Sequence, residues 1–596
     1  MLPKHLCLAA LAFVLGLTCA AFAERINWSD ASPDDHDWSS PDNWNTNTVP
    51  TNQQVAYTNG QGAALTEVSS DTATCSGLCN AYLHDHDFII RSGARVKVVN
   101  DVYAGMLGSQ HANATFTVEK GGQLDVGGLF RVIHPMSSTA NMEVTLNVAG
   151  RVNIAGALEV SRPVAGAHHG TVNLLDGRIN CGGLSMGRRG ASTPADSMNI
   201  TGGVLHIAGD AVDQIEGYVE NGSITAYGGV GSVRAYYLAP LNRTVVGAVS
   251  PNIEIVVEAD LHDSGHIGGS LERYVADLTR EGFKPHVHRC AETTPQALRA
   301  YLKSLYDENG LAGVVLVEAT EVNKIPRALF EERFPPDRGP IDLYYGDLDG
   351  FWDDEDGNGK FDVWHNGPSG DMEREIWVGR ISTTTTQRLN DYFDRNHAYR
   401  TGAMKFEEHA LIWVEPGWTV PDEIVGIAYK NMVSYHAGDP AITRETYHKE
   451  LQKNYEWLFH SSHSGSTGND WIWSSKVQEL NTHVAFAHFY ACRTANYYET
   501  PTCLAGEMVF GTDYGLASLG QANSGGVGAN PGFYQRIAEG RSIGEATYFL
   551  CTSVEPDGSY NASWVDWLWG ITIHGDPTLR PQGEPIPDEA REVSPE

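Results

Sequence analysis

The sequence predicts two folds in one chain: an N-terminal all-β region of β-solenoid-like repeats, then an α/β domain with a mostly parallel sheet. Three observations predict it. Glycines at 93, 122, 150, 177 and 203 recur at spacings of 29, 28, 27 and 26 residues within short alternating strands. A near-constant period of that size marks a repeat array. From about Asn252 apolar strands alternate with amphipathic helices, the pattern of a parallel sheet covered on both faces. The third is length: 596 residues exceed what one core ordinarily serves.

Taken in order, residues 1–23 (MLPKHLCLAALAFVLGLTCAAFA) join a basic start at Lys4 to an apolar run and Ala21-Phe22-Ala23. That is the form of a secretory signal peptide. The mature chain is expected to begin near Glu24 and to be secreted, extracellular or at the cell surface. No later stretch reaches the ~20 apolar residues of a spanning helix, so no membrane span is expected.

Residues 24–240 form the repeat region, with units such as ATFTVEKGGQLDVGG and MEVTLNVAGRVNIAG. One unit cannot bury both faces of its sheet, so units must stack. Glycine suits each corner because it tolerates positive φ. Trp38 and Trp44 read as a cap over the open end of the stack, or as a platform for a sugar. The stretch YYLAPLNR reads as a linker with a processing site at Arg243.

The α/β domain spans 252–581. NIEIVVEAD, FKPHVHR, LAGVVLVEA, EIWVGRIS, HALIWVEPG, YEWLFHSSH and VAFAHFYAC read as strands. SLERYVADLTREG, TPQALRAYLKSLYDENG and DYFDRNHAYRTG read as helices. Residues 582–596 are expected to form a flexible tail. Sheets of this kind bind ligands beyond the carboxyl ends of their strands.

The charge excludes one class of partner. With 74 acidic and 41 basic residues the formal charge is −33, which argues against non-specific nucleic-acid binding. Of nine cysteines two lie in the leader, and seven remain. An odd number leaves at least one thiol unpaired in a monomer. Cys75 and Cys79 are close enough for a small-loop disulfide. Zinc is a poor reading, since the sequence holds no Cys-x-x-Cys pair and no His-Glu-x-x-His.

Cys492 and His463 each stand where an apolar strand is about to end. If those strands are neighbours, thiol and imidazole meet at one sheet edge. A thiol beside an imidazole ionises near neutral pH, and the thiolate is the nucleophile. The histidine then protonates the leaving amine. Backbone N–H groups after the histidine and at the cysteine would hold an oxyanion. A lone cysteine in an apolar run is more often a core residue. His460 is the rival base, His488 reads as a core histidine, and Cys503, Cys290 and Cys551 read as quiet thiols.

The order of several motifs resembles the gingipain family, in the caspase-like clan of cysteine peptidases. DLYYGDLDGFWDDEDGNGKFD, EIWVGRIS, FHSSHSG, FYACRTANY and WGITIHGDPTLRP follow one another as that family's motifs do. The resemblance implies a caspase-like α/β fold and thiol-protease activity. It implies Cys492 as nucleophile, His463 as general acid/base, and the backbone N–H groups of Ser464 and Cys492 as oxyanion donors. It also implies that Glu375 orients the histidine. The chain has His463-Ser464-Gly465 where the family has His-Gly-Ser. Thr383 to Gln387 contain no acid, so arginine specificity is not supported.

From Asp354 the acidic loop reads D-x-D-x-N-G-x-x-D, the first nine positions of an EF-hand-type loop. Asp354, Asp356 and Asn358 offer side-chain oxygens, Lys360 its carbonyl and Asp362 a ligand directly or through water. The twelfth position is His365, so the last ligand would come from Asp347 or Asp349. Ca2+ in a structural role is the expected cofactor.

The leading functional expectation is a secreted cysteine endopeptidase working through a Cys-His dyad and a thioester. A surface transpeptidase of sortase-like chemistry and a catalytically silent adhesin are the alternatives. Expected partners are protein or peptide substrates, and a cell surface or polysaccharide met by the repeat region.

Overall fold

The computed structural model describes residues 24–586 apart from 30–34, 59–64, 70–71, 82–84, 108–111, 136–141, 162–167, 176, 188–195, 230, 239–241, 334–335, 366–373, 551–568 and 584. The leader and Cys551 therefore lie outside the described residues. Two compact units are present, 1–249 and 250–596. Among the described residues no helix is long and apolar enough to cross a membrane.

The first unit is built almost wholly of strands, and most pair in parallel with the strand one repeat away, the final strands Ser232–Leu238 and Arg243–Val249 pairing antiparallel. Arg95–Val98 (β1), Gln123–Val126 (β2), Arg151–Glu159 (β3), Arg178–Ser185 (β4) and Val204–Ala208 (β5) lie side by side. Arg95 stands opposite Gln123, Gln123 opposite Arg151, Arg151 opposite Arg178 and Arg178 opposite Val204. A second sheet of seven strands follows the same rule. Alternation sets the faces: Val96, Val98, Leu124, Val126, Val152 and Ile179 are buried, and the residues between them point outward.

The recurrent glycines have a different cause from the one expected. Gly93 does adopt a positive φ, +80°. Gly150, Gly177 and Gly203 are instead required by close approach. A Cβ on Gly177 would lie 2.2 Å from the Gly150 carbonyl oxygen, and one on Gly203 2.3 Å from that of Gly177. The repeat is thus held by backbone stacking on backbone.

Trp38 and Trp44 are buried in this core, 4.7 Å apart edge to face, which leaves no open platform for a sugar. Cys75 and Cys79 are both buried free thiols rather than a disulfide. Arg243 begins a strand, Arg243–Val249, that pairs on both sides. It belongs to the first unit's sheet and is not an open linker.

The second unit is organised by a ten-stranded sheet. Its strands are Asn252–Glu258 (β6), Lys284–Cys290 (β7), Gly313–Ala319 (β8), Trp377–Thr383 (β9), Glu407–Val414 (β10), Asn431–Tyr435 (β11), Tyr455–Ser461 (β12), Val484–Tyr490 (β13), Ala517–Gln521 (β14) and Ile571–Gly575 (β15). Their spatial order is β7-β6-β8-β9-β15-β14-β13-β12-β10-β11. Pairing is parallel throughout β7-β6-β8-β9 and throughout β14-β13-β12-β10-β11, and β15, between the two sets, is antiparallel to β14.

Both faces are covered, as the continuous apolar strands require. In β8, Val315 and Val317 pack toward Gly268–Arg280 (α1) and Thr386–Arg400 (α3). Val314 and Leu316 pack toward Pro295–Asn309 (α2). Thr294 and Thr385 cap α2 and α3 by accepting from Ala297 and Arg388 amides. The cap at Thr385 starts α3 earlier than its apolar pattern announces. The tail is docked at its start: the Gln582 amide donates to Glu456 and the Ile586 amide to the Arg400 carbonyl.

A buried ionic network fixes the sheet's carboxyl edge. Arg380, fully buried, donates to Asp342 at 2.6 Å. Glu318 at the end of β8 accepts from Arg327 at 2.8 Å. Both guanidinium groups stack on the Tyr497 ring, at 4.6 and 4.9 Å, and the Tyr497 hydroxyl donates to Asp342. Burial alone would raise the Asp342 carboxyl, but Arg380 holds it below the usual range. Asp342→Ala is expected to destabilise this unit by about 3–5 kcal/mol, because it strands a buried guanidinium. Chemical denaturation checks it, and a loss below ~1 kcal/mol would contradict it.

Candidate active site

The two carboxyl ends of β12 and β13 meet in register. Ser461 pairs with Tyr490, and the Ser462 amide extends the ladder to the Tyr490 carbonyl at 3.3 Å. His463 and Cys492 lie two residues beyond that pair on their respective strands. Their neighbouring rings also meet. The Trp418 ring packs edge-on to His463 at 5.1 Å and to Tyr490 at 5.2 Å.

Exposure separates these residues from their rivals. His463 is exposed, and among the described cysteines Cys492 is the one not buried. Burial pushes the thiols of Cys79, Cys290 and Cys503 up to about 12 and that of Cys181 to about 11. Cys503 stands 3.5 Å from His574 Nε2, but both are buried, and burial lowers His574 to about 4. That pair has neither a thiolate nor access.

His460 is a core histidine. Asn469 Nδ2 donates to its Nε2 at 2.9 Å, and its Nδ1 lies 2.7 Å from the Tyr447 hydroxyl. Burial lowers it to about 3. His488 is likewise enclosed, between the Val527 carbonyl and the Tyr534 hydroxyl, and lowered to about 4 by burial.

The loops beyond the strands are built to hold still. Arg493, directly after Cys492, adopts a left-handed conformation, φ +58°, and its amide donates to the Asn523 carbonyl. Such a conformation costs about 1–3 kcal/mol in a non-glycine residue and turns the chain sharply. The Glu499 carboxylate accepts from Ser466 Oγ at 2.6 Å and from Arg493 Nη2 at 2.8 Å, tying the histidine loop to the cysteine loop. Among the described residues, the amide N–H groups of Ser464 and Cys492 have no protein acceptor. They remain available to an incoming oxygen.

Glu375 is not where the motif comparison places it. Its amide donates to the Gly346 carbonyl, and the Tyr548 hydroxyl bonds the Glu375 and Ala312 carbonyls together. Ala312 precedes β8, so Glu375 sits where β8 and β9 begin. Arg327, paired with Glu318 at the end of β8, stacks on Tyr497 beyond β13, so the carboxyl ends share the other edge. A seven-residue strand, about 20 Å, separates the two edges. The Glu375 carboxylate instead accepts from the Leu348 amide and groups with Asp347 and Asp349.

The acid actually beside His463 is Glu415, whose Oε2 accepts from the His463 amide at 2.7 Å. It follows the last residue of β10, the neighbour of β12. The signal was present in HALIWVEPGW: an acid at the carboxyl end of an apolar strand, on the edge where the histidine was already expected.

The acidic loop gathers three carboxylates. Ligand oxygens of Asp354, Asp356 and Asp362 lie within 4.8 Å of one another. Gly357 and Gly359 take positive φ, and the Asn358 and Gly359 amides donate to Asp354. The Lys360 ammonium is drawn away to Glu331 at 2.8 Å. Asp347 and Asp349 belong to the separate group with Glu375 and do not complete this loop. The His365 side chain lies outside what is described.

The model of peptidase family C25 matches residues 269–582, more than half of the chain. No curated protein matches the sequence. A solved structure titled "Structure of Protease" is 15% identical, with a TM-score of 0.43, over 56% of this chain and 78% of that one. At that score the likeness carries no argument. The matched span runs from α1 through the closing Gly-Asp-Pro and contains all five motifs quoted above. The chain therefore belongs to peptidase family C25, the gingipain family, and is a cysteine-type peptidase.

Proposed function

We propose that the chain is a secreted endopeptidase in which Cys492 and His463 form the working dyad. The observation that carries this is the register of β12 and β13, which sets both residues two positions beyond one strand pair. The Cys492 thiol passes its proton to His463, and the thiolate adds to the scissile carbonyl. The Ser464 and Cys492 amides receive the oxyanion. His463 returns the proton to the amine as the C–N bond breaks, leaving a thioester that water, deprotonated by His463, then hydrolyses. Glu415 fixes the loop that presents the imidazole. Protein or peptide substrates follow from the family; turnover without an added amine separates hydrolysis from transfer.

The test is labelling. Limiting iodoacetamide under mild reductant is expected to modify Cys492 ahead of every other cysteine, and this preference is expected to vanish in His463→Ala. Equal labelling of Cys492 and Cys503 would defeat the assignment.

Four further readings accompany it. The stacked strands of the first unit read as a β-solenoid-like attachment module for a cell surface or polysaccharide, and the second unit as caspase-like. Residues 1–23 read as the export signal. The loop of Asp354, Asp356, Asn358, Lys360 and Asp362 fits calcium, since its donors are hard oxygens and its carboxylates repel one another unless neutralised. Chelation is expected to lower the melting temperature of the second unit, as loss of any ligand specific to the folded state does. Asp354→Asn is expected to make melting insensitive to EDTA. Identical melting of the native chain with and without EDTA would remove calcium from the account.

A further inference from the structure

The outward face of β1 to β5 is unlike the rest of this acidic chain. Two rows of side chains cross it, one residue per strand, each row in register. The first row runs Arg95, Gln123, Arg151, Arg178. The second runs Lys97, Asp125, Asn153, Asn180, His206. The alternate residues are buried, so both rows face outward.

Asp125 is the single acid in these rows, against Arg95, Arg151, Arg178 and Lys97, in a chain of formal charge −33. Arg95 is paired with Asp125. Among the described residues the Lys97 ammonium and the Arg151 guanidinium have no partner. Burial first, then Arg178 and Arg243 beside it, lower His206 to about 3, so it stays neutral.

The second row is also a ladder of amides. Asn153 Nδ2 donates to Asp125 at 2.8 Å, Asn180 Nδ2 donates to Asn153 at 2.7 Å, and His206 Nδ1 lies 2.9 Å from Asn180 Oδ1. Each amide carries two N–H donors, and the ladder uses one. The ladder therefore fixes the side chains while leaving a donor on each rung.

These rungs form a wall of a groove of ≈ 790 Å³ lined by Lys97, Asp125, Asn153 and Asn180 on one side and Gly127, Ala155 and Gly182 on the other. Neighbouring strands are about 4.8 Å apart. Donors therefore recur along the groove at close to the length of one pyranose ring in an extended chain. Among the described residues no aromatic side chain lines it, so they offer no stacking platform for nucleic-acid bases.

We propose that this groove binds an acidic polysaccharide, a uronate-type polymer lying across the strands, with Lys97 in the groove and Arg151 in the row beside it facing its carboxylates and the Asn153–Asn180 ladder facing its hydroxyls. This rests on the attachment reading of the first unit and gives it a site and a ligand class.

The experiment measures binding of the full chain to immobilised polygalacturonate at low and high salt. The comparison variants are Lys97→Glu and Arg151→Glu, with Lys97→Gln and Arg151→Gln as milder companions. Dextran and an oligothymidylate serve as neutral and nucleic-acid probes. Polygalacturonate is expected to bind, to weaken with salt, and to lose at least tenfold in each Glu variant and less in each Gln variant. Peptide turnover and melting are expected to stay unchanged. Absence of polygalacturonate binding, unchanged affinity in all four variants, or equal affinity for oligothymidylate would each overturn the proposal. Dextran binding that survives every substitution would overturn it too, while leaving the attachment reading in place.

Discussion

His463→Ala is expected to lower kcat on a peptide substrate by about 10²–10⁴-fold, the range over which general acid–base catalysis acts. Cys492→Ala is expected to lose at least as much, and the double variant no more than Cys492→Ala alone. Residues that act as one unit are not additive. The dyad predicts this pattern because proton removal by His463 has no value without the thiol that it activates. His460→Ala is the discriminating control. Its ring is buried, fully hydrogen-bonded and held neutral, so its loss is expected to appear as lower melting temperature. Turnover with purified variants, each checked for its melting transition, decides between the two histidines. Equal loss of kcat from both, with melting unchanged, would dissolve the assignment.

Why the sequence points to His463 yet sets Glu375, and not Glu415, beside it is a matter of range. Strand ends were legible because apolar runs stop where water begins, and the parallel-sheet rule carries both ends to one edge. That reasoning is local plus one topological rule. It brings His463 and Cys492 to one sheet edge, since their strands prove to be neighbours. Glu375 came from motif order, and a motif at the start of a strand says nothing about which sheet edge it occupies. The structure gives EIWVGRIS a different part: Arg380 anchors Tyr497 on the cysteine loop, and Gly379 admits Pro577, whose Cδ would lie 2.3 Å from an added Cβ. The Gly-Arg and Gly-Asp-Pro motifs are thus two halves of one packing contact.

The repeat region shows the same limit from the other side. Its period was visible, and the register of the strands follows it. The reason for its glycines was not visible, because close approach of one backbone to the next depends on atoms a repeat away. Glu499, Trp418 and Ser466 were missed for a like reason. Each acts through a partner distant in sequence, in a loop whose composition is unremarkable.

The second unit is expected to lose stability steeply as pH falls from about 6.5 to 4. His460, His488 and His574 are buried and lowered to about 3, 4 and 4, in each case chiefly by burial. The unfolded chain binds these protons near pH 6.5, and the folded chain only far below. Their contribution is therefore complete above 6.5 and is lost as pH falls toward the folded values, at about 1.4 kcal/mol per pH unit for each. Asp347 works the other way. Burial pushes it up to about 7, so the folded state takes up its proton first and gains relative stability as pH falls below 7. Asp347 offsets one histidine, Glu456, which burial also raises, opposes the fall near the carboxylate range, and the other two histidines leave a fall of at most about 3 kcal/mol per pH unit. Asp342 and Asp576 add to the fall only below the ordinary carboxylate range, since their arginine partners hold them low against burial. Denaturant unfolding between pH 7.5 and 4, followed by hydrogen exchange of the β12 and β13 amides, measures the slope. His488→Gln keeps a donor for the Val527 carbonyl without a titrating ring. It is expected to be less stable at pH 7.5 and to flatten the slope by about 1.4 kcal/mol per pH unit. A slope unchanged in His488→Gln would mean that acid lability arises outside these buried rings.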